Sequence, residues 1–258
     1  MAPDNARNLG LGLTALLCFF LALASWEVIR FLPAAIAVPT WKVGWVLFCF
    51  GGLWVTHRMG PRAAIAELGL SAPPIRGLGI ALLASLPMLA VLLLMSENAM
   101  RFVPRTMLLS VLLAALTEEI LFRGYLFRQL YRRAGWHFVP AVLATGLLFG
   151  LAHIGTAFSG GALELLGVAG ITTLGGAFFS WLFLRWGDNL WVPIGMHLFM
   201  NAWWELFAVS ANAIGNASAT VARALAVAAA IFMTLRYTKP VSARVERPAS
   251  IVEGRFQQ

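Results

Sequence analysis

Eight apolar segments, each close to the length of a membrane-spanning helix, constrain the fold of this chain more than any other feature. They lie at about residues 9–29, 41–56, 77–95, 106–128, 139–157, 164–185, 190–209 and 219–236. A transmembrane helix needs about 20 mostly apolar residues. The sequence therefore predicts an all-α, polytopic membrane protein with a bundle of about eight transmembrane helices. Seven spans are the alternative, because the second segment is the shortest and could lie tilted or at the interface.

Composition excludes the other broad protein classes. The 258 residues are 60% hydrophobic and 12% charged, whereas soluble proteins carry roughly twice that charged fraction. Disordered chains, collagen-like fibres, secreted disulfide scaffolds and ordinary cytosolic enzymes do not have this composition. The two cysteines, Cys18 and Cys49, lie in apolar stretches and offer neither a disulfide framework nor a zinc cluster. We expect one membrane domain over residues 1–238 and a disordered polar tail over residues 239–258.

Positive charges indicate how the chain is oriented. The net charge is +8, but the basic residues are scattered among apolar segments and form no patch of the kind that binds nucleic acid. With the N-terminus in the cytoplasm, 13 of the 19 Lys and Arg residues fall on the inner side, and five, including Lys42 and Arg223, fall outside. Lys and Arg accumulate in cytoplasmic loops. The sequence thus predicts an inner-membrane protein with both termini in the cytoplasm.

The first apolar segment also resembles a secretory signal, because Arg7 precedes an apolar run that reaches the small residues Ala22-Leu23-Ala24. The apolar run then resumes beyond Trp26, which makes it long enough to span the membrane. We expect this segment to stay in the protein as a transmembrane helix.

Ionisable residues inside apolar segments are the candidate functional groups, because each is costly to bury in lipid. In the fourth segment, Glu119 and Arg123 are four residues apart, so they share a helix face and can pair. Glu118 points about 100° away around the helix and has no local cation. It needs a partner from another helix or from water, and it is the candidate general base.

Polar groups in two further segments complete the candidate site. The fifth segment carries Phe149 and His153, and the seventh carries His197 and Asn201, each pair with i, i+4 spacing. Since intramembrane polar groups are costly alone, we expect the three polar faces to meet. Four glycines in the sixth segment predict close helix packing: Gly167, Gly170, Gly175 and Gly176.

These motifs resemble those of a known protease family. Glu-Glu-x-x-x-Arg at 118–123, Phe-x-x-x-His at 149–153 and His-x-x-x-Asn at 197–201 follow one another on successive apolar segments. Their combination is similar to that of the CPBP family of intramembrane proteases, which includes the CAAX prenyl endopeptidases. The resemblance covers about residues 106–209 and implies an eight-helix bundle around a polar cavity open to the cytoplasm.

The resemblance also implies a role for each motif residue. Glu118 with His153 would activate water, His197 and Asn201 would stabilise the oxyanion, and Glu119 with Arg123 would hold the site together. Phe149 would support the site as part of its motif. The substrate would be a membrane-anchored protein or a lipidated peptide, cleaved within the bilayer.

Two alternatives stay open at this point. Glu118, His153 and His197 also form a two-His, one-Glu zinc set, although Asn201 is a poor zinc ligand, which favours a metal-free reaction. The polar core could instead belong to a non-catalytic membrane protein, such as a binding scaffold or a bacteriocin-immunity factor. A transporter is less well supported, because the sequence shows no repeated halves.

Overall fold

The structure is a computed structural model that describes residues 3–96, 99–154 and 161–239. Within these residues the chain is helical and contains no strand. Its helices, numbered in chain order, are α1 (Pro3–Ala24), α2 (Trp26–Ile29), α3 (Ala34–His57), α4 (Pro61–Glu67), α5 (Pro74–Met95), α6 (residues 104–133), α7 (Phe138–His153), α8 (Gly161–Arg185), α9 (Trp191–Leu206) and α10 (Ala217–Tyr237). The predicted disordered tail lies, from residue 240 onward, outside the described residues.

In the described residues each of the eight apolar segments is helical, and the largest difference is at the start of α3. Residues 155–157 of the fifth segment lie outside the described residues. This helix begins at Ala34, directly after Pro33, and contains Pro39 in its second turn. The predicted segment begins at about residue 41, beyond Pro39. The second segment is therefore 24 residues long rather than the shortest of the eight.

Five helices in the described part of the chain are long and apolar enough to cross a membrane: Asn5–Ile29, Ala35–His57, Pro74–Met95, Gly161–Arg185 and Ala217–Tyr237. These spans agree with a polytopic membrane protein. Helices α7 and α9 have 16 residues each, which is near the lower limit for a span. The total of eight spans therefore stays a prediction.

Helix α6 occupies the centre of the bundle and contacts α1, α3, α7, α8 and α9. Helix α5 packs along α9 and α10, and α7 forms a hairpin with α8. Every residue from Thr117 to Phe127 is buried in the protein. The polar groups of α6 thus face other helices rather than lipid, as intramembrane charges must.

The backbone of α6 is unusual around these polar groups. An α-helical stretch, Ala114–Glu119, lies between the π-helical stretches Met107–Leu113 and Ile120–Phe127, and a third follows at Gln129–Arg133. The wider i→i+5 hydrogen bonding of π-helices is rare and is frequent at functional sites. The two adjacent carboxylates therefore lie where α6 changes its helical geometry.

Glycines allow α7 and α8 to cross at close range beside the polar centre. A Cβ atom on Gly146 would lie 3.0 Å from the carbonyl oxygen of Thr173, and one on Gly176 would lie 3.0 Å from the Cα of Gly146. A Cβ atom on Gly170 or Gly175 would meet nothing within 4 Å in the described residues. Of the glycines predicted to pack closely, Gly176 is the one that serves the α7–α8 crossing.

Ion pairs close one end of the bundle, where α4, the end of α6 and the α8–α9 turn meet. Arg133 donates to both oxygens of Glu67, at 2.9 and 2.7 Å, and Arg128 and Arg132 both pair with Asp188. Burial alone raises the pKa of Glu67. The hydrogen bond from Arg133 and the charge of Arg128 outweigh burial, so the pKa lies below its usual range.

Candidate active site

The predicted pair of Glu119 and Arg123 forms and is joined by a residue from α9. Arg123 Nη1 donates to Glu119 Oε1 at 2.8 Å, and the same oxygen accepts from His197 Nδ1 at 2.8 Å. Arg123 and Glu119 are almost completely buried, at 1% and 0% exposure. The guanidinium also lies 4.4 Å from the centre of the Phe149 ring. Glu119 therefore fixes the orientation of the His197 ring relative to α6.

Glu118 points toward two histidines from different helices. Its Oε2 atom lies 3.6 Å from His153 Nε2 and 3.9 Å from His197 Nε2. This oxygen is buried and has no hydrogen-bond partner within the described part of the chain. The three polar faces that the sequence predicted to meet are thus brought together around this carboxylate oxygen.

Hydrogen bonds on the other ring nitrogens set the tautomers of the two histidines. His153 Nδ1 lies 2.8 Å from the carbonyl oxygen of Phe149, and His197 Nδ1 lies 2.8 Å from Glu119. Because these oxygens only accept, both Nδ1 atoms carry protons. In the neutral rings both Nε2 atoms are then acceptors, and they face a third acceptor, Glu118 Oε2. A water molecule placed between them could donate to Glu118 Oε2 and to one of the two Nε2 atoms.

The second oxygen of Glu118 binds Lys42, which was predicted to be an outer charge. Lys42 Nζ donates to Glu118 Oε1 at 2.5 Å, and it lies 4.1 Å from the centre of the Trp45 ring. Lys42 was counted among the outer charges, but α3 begins at Ala34 and places Lys42 inside the bundle, against α6. A lone cation beside two tryptophans in an apolar segment was the signal that could have identified it.

A cavity of about 320 Å³ adjoins this group. His153, His197 and Asn201 line it together with Phe149, whereas Glu118 lies behind the two imidazoles and is not among the lining residues. The cavity continues along α9 past Glu205 to Arg223 on α10. Arg223, like Lys42, had been counted as an outer charge, and the structure places it on the cavity wall. This volume is at the small end of the range for ligand sites.

The cavity lies toward the end of the bundle opposite the arginine cluster. Helix α9 starts near Asp188, which pairs with Arg128 and Arg132, and the cavity is lined by the later residues Met200–Glu205 and by residues 210–213. If the arginine-rich end is cytoplasmic, this cavity faces the other side of the membrane. With both termini in the cytoplasm, this cavity does not open to the cytoplasm. The prediction of cytoplasmic termini and the prediction of a cytoplasmic cavity therefore conflict for this cavity.

The described residues show no ready-made metal centre. Within residues 3–96, 99–154 and 161–239, no group of three or more His, Cys, Asp or Glu side chains is arranged to hold a metal ion. Glu118 Oε2 and the two Nε2 atoms do converge, and both histidines donate their other nitrogen as zinc-binding histidines do. The ammonium of Lys42 against Glu118 makes the position less favourable for a second cation.

Comparison with protein families gives a match that covers the motif residues of the candidate site. The family described as "Rce1-like: Type II CAAX prenyl endopeptidase Rce1-like" matches residues 101–203. This range contains every motif residue from Glu118 to Asn201. No match is found among curated proteins or solved structures. The resemblance seen in the motifs is thereby confirmed over residues 101–203, where this chain matches the Rce1-like type II CAAX prenyl endopeptidases.

Proposed function

We propose that this chain is an intramembrane endopeptidase of the CAAX type, which hydrolyses a peptide bond in a membrane-associated protein. The observation that carries the proposal is the convergence of Glu118 Oε2 with His153 Nε2 and His197 Nε2, at 3.6 and 3.9 Å. The match to the Rce1-like family over residues 101–203 supports the reaction class. Peptide hydrolysis needs a base for water and donors for the developing oxyanion, and these residues can supply both.

In the first step, Glu118 and His153 position and activate a water molecule. The water donates one proton toward Glu118 Oε2 and the other toward His153 Nε2, which are both acceptors. As the water oxygen bonds to the carbonyl carbon of the substrate, Glu118 takes up its proton. The carbonyl oxygen then carries a negative charge.

His197 and Asn201 stabilise that oxyanion in the proposed reaction. The Asn201 amide donates directly from the cavity wall. His197 donates from Nε2 in the form in which both ring nitrogens carry protons, while Glu119 holds the ring at Nδ1. The protonated Glu118 then passes its proton to the leaving nitrogen as the carbon–nitrogen bond breaks. Glu119, Arg123 and Phe149 hold the two histidines in place.

The proposal places the site in a bundle of eight transmembrane helices with both termini in the cytoplasm. Removing Lys42 and Arg223 from the outer charges strengthens this orientation, because both belong to the interior of the bundle. The cavity lined by Asn201 and Glu205 then faces the non-cytoplasmic side. The variant Ser210→Cys should react with a membrane-impermeant maleimide added to intact cells, whereas Arg62→Cys should react only after permeabilisation. The reverse labelling pattern would show the opposite orientation in the membrane, with both termini outside the cytoplasm.

We propose that the reaction is metal-free. Zinc held by Glu118, His153 and His197 would act as a Lewis acid toward water, which is the alternative for this residue set. The purified enzyme should keep its activity after treatment with a strong chelator. Complete loss of activity that added zinc restores would overturn the metal-free reaction.

A non-catalytic scaffold or bacteriocin-immunity protein remains the second candidate function. Such a protein would need the buried polar core for stability or binding and not for turnover. The cellular phenotype of such a protein should then be unchanged by the nearly isosteric substitution Glu118→Gln. If the protein is the proposed protease, the same substitution should abolish the phenotype.

Product analysis in isotopically labelled water tests the proposed function. Purified protein in detergent is incubated with a prenylated peptide ending in a Cys-aliphatic-aliphatic-X sequence, and with a membrane-spanning peptide that lacks lipid. Hydrolysis should generate two new termini, and heavy oxygen from the water should appear in the new carboxyl group. Failure to cleave either peptide, in detergent and in vesicles, would count against an endopeptidase of this type.

A further inference from the structure

Lys42 reaches the candidate active site from a helix outside the family match. It lies on α3, which spans Ala34–His57, whereas the match covers residues 101–203. Its Nζ atom donates to Glu118 Oε1 at 2.5 Å, and its side chain is 14% exposed. A cation buried in an apolar bundle is costly unless it is paired. No step of the proposed reaction uses this lysine.

Two tryptophans of α3 hold the ammonium of Lys42 in place. Its Nζ atom lies 4.1 Å from the centre of the Trp45 ring and 5.8 Å from the centre of the Trp41 ring. Indole rings attract cations to their faces. The two rings contact each other edge to face, with centroids 4.7 Å apart, and Trp41 Nε1 donates to the carbonyl oxygen of Ala22 on α1. Groups other than Glu118 therefore help to fix the ammonium.

The salt bridge determines which oxygen of Glu118 faces the histidines. Because Lys42 binds Oε1, Oε2 is the oxygen that lies 3.6 Å from His153 Nε2 and 3.9 Å from His197 Nε2. A side chain held at one oxygen keeps less rotamer freedom. A cation beside a carboxylate also favours the ionised form, and only that form can take a proton from water.

We propose that Lys42 is a positioning residue of the active site, which holds Glu118 at Oε1 so that the ionised Oε2 stays aimed at the space between the two imidazoles. This inference rests on the proposed function, because it assumes that Glu118 is the base. Lys42 is not among the described residues that line the cavity, so it acts through Glu118 rather than on the peptide. Helix α3 thereby supplies part of the active site.

Steady-state kinetics of Lys42→Met test this role. Misplacing a catalytic group by about 1 Å can lower the rate about 100-fold. We therefore expect kcat to fall by about 10- to 100-fold, whereas KM should change little because Lys42 does not line the cavity. Lys42→Arg should retain part of kcat, since it returns the charge.

Arg133→Met is the matched control for loss of stability. It also breaks an ion pair, the one with Glu67 at the arginine-rich end of the bundle. This variant should have a lower Tm but an unchanged kcat at temperatures at which it is folded. If Arg133→Met and Lys42→Met lowered kcat equally, the effect of Lys42 would be one of stability, and the positioning role would be overturned.

A small amine distinguishes positioning from packing. Lys42→Ala leaves space for n-propylammonium, which matches the missing part of the lysine side chain. This amine should restore part of kcat, whereas 1-propanol, which fills the space without a charge, should not. The amine should have no effect on Glu118→Gln. Equal restoration of Lys42→Ala by the amine and the alcohol would show that Lys42 only fills space, and it would overturn the positioning role.

Infrared spectroscopy gives a readout that does not depend on turnover. An uncompensated carboxylate in a protein interior tends to neutralise by taking up a proton. The difference spectrum between Lys42→Met and the unaltered protein should therefore contain the band of a protonated carboxyl group, and Lys42→Met/Glu118→Gln should lack it. A folded Lys42→Met protein with unchanged kcat and no such band would overturn the role of Lys42 and leave the protease intact. Absence of cleavage by the unaltered protein would instead overturn the proposed function.

Discussion

Lys42 on α3 and Glu118 on α6, 76 residues apart in sequence, form a salt bridge with 2.5 Å between Nζ and Oε1. Their side chains are 14% and 9% exposed. The pair joins the N-terminal helices to the centre of the candidate site. Glu118 has no cation nearby on its own helix, so the sequence predicted a partner from another helix or from water. Lys42 is such a partner from another helix.

Replacing Lys42 by Met should impair both stability and activity. Removing one partner of a buried ion pair leaves an uncompensated charge, at a cost of about 3–5 kcal/mol. Thermal unfolding in detergent should show a lower Tm, and peptide hydrolysis should fall. Lys42→Arg should restore part of both, because it returns the charge.

The double variant Lys42→Met/Glu118→Gln separates the two effects of this pair. With both charges removed, much of the lost stability should return, since neither partner is left buried alone. Activity should stay absent, because the base is gone. A double variant as unstable as Lys42→Met alone would show that the lysine stabilises the fold in some other way.

Two glycine substitutions test the crossing of α7 and α8. A Cβ atom on Gly150 would collide with the side chain of Thr173 and come 2.7 Å from the carbonyl oxygen of Ala169, whereas one on Gly170 would have no neighbour within 4 Å among the described residues. Gly150→Ala should therefore destabilise the protein by about 1–3 kcal/mol. Gly170→Ala should leave the Tm nearly unchanged or raise it. Equal effects of the two substitutions would contradict the close approach.

The arginine cluster predicts a stability change at acidic pH. Because the pKa of Glu67 lies below its usual range, its ionised form stabilises the folded state. This contribution is complete above the ordinary glutamate pKa of about 4.3, and it is lost as the pH falls through the lower pKa of the folded state.

Thermal unfolding at a series of pH values measures this contribution. The Tm difference between the unaltered protein and Glu67→Gln should be largest near neutral pH and should shrink under acid. At neutral pH, Glu67→Gln should lower the free energy of unfolding by about 1.5–3 kcal/mol, since charged hydrogen bonds are lost. Glu27→Gln, at an exposed position, is the matched control. A difference that is independent of pH would refute the role of the Glu67 charge.

The sequence identified the helices and most of the polar centre because both depend on local spacing. Glu119 and Arg123 could be paired from their i, i+4 separation, and the cost of burying His153 and His197 in lipid predicted that their helices meet. Lys42 was missed because it was counted with the outer charges, and its partner Glu118 is 76 residues away on another helix, where local spacing gives no signal. Arg223 was missed because no motif surrounds it. It is the one ionisable residue of α10 before the last turn of that helix, so no neighbouring polar residue indicated that it faces the cavity.

The direction of the cavity was also beyond the sequence. Spacing shows that Asn201 and Glu205 share a helix face, but it does not show which end of the bundle is open beside them. That depends on how α8, α9 and α10 pack around Met200 and Trp204, which is a property of side-chain volumes in three dimensions.

The most direct test of the account is the rate of peptide hydrolysis by purified Glu118→Gln protein, measured beside the unaltered enzyme and Glu27→Gln. Loss of a general base lowers the rate by about 10²- to 10⁴-fold, and we expect this loss in kcat for Glu118→Gln with the protein still folded in a thermal unfolding scan. Glu27→Gln should keep full activity. A decrease of about threefold or less would be far smaller than the loss expected for a general base. If the folded Glu118→Gln protein showed so small a decrease, the assignment of Glu118 as the base would be contradicted.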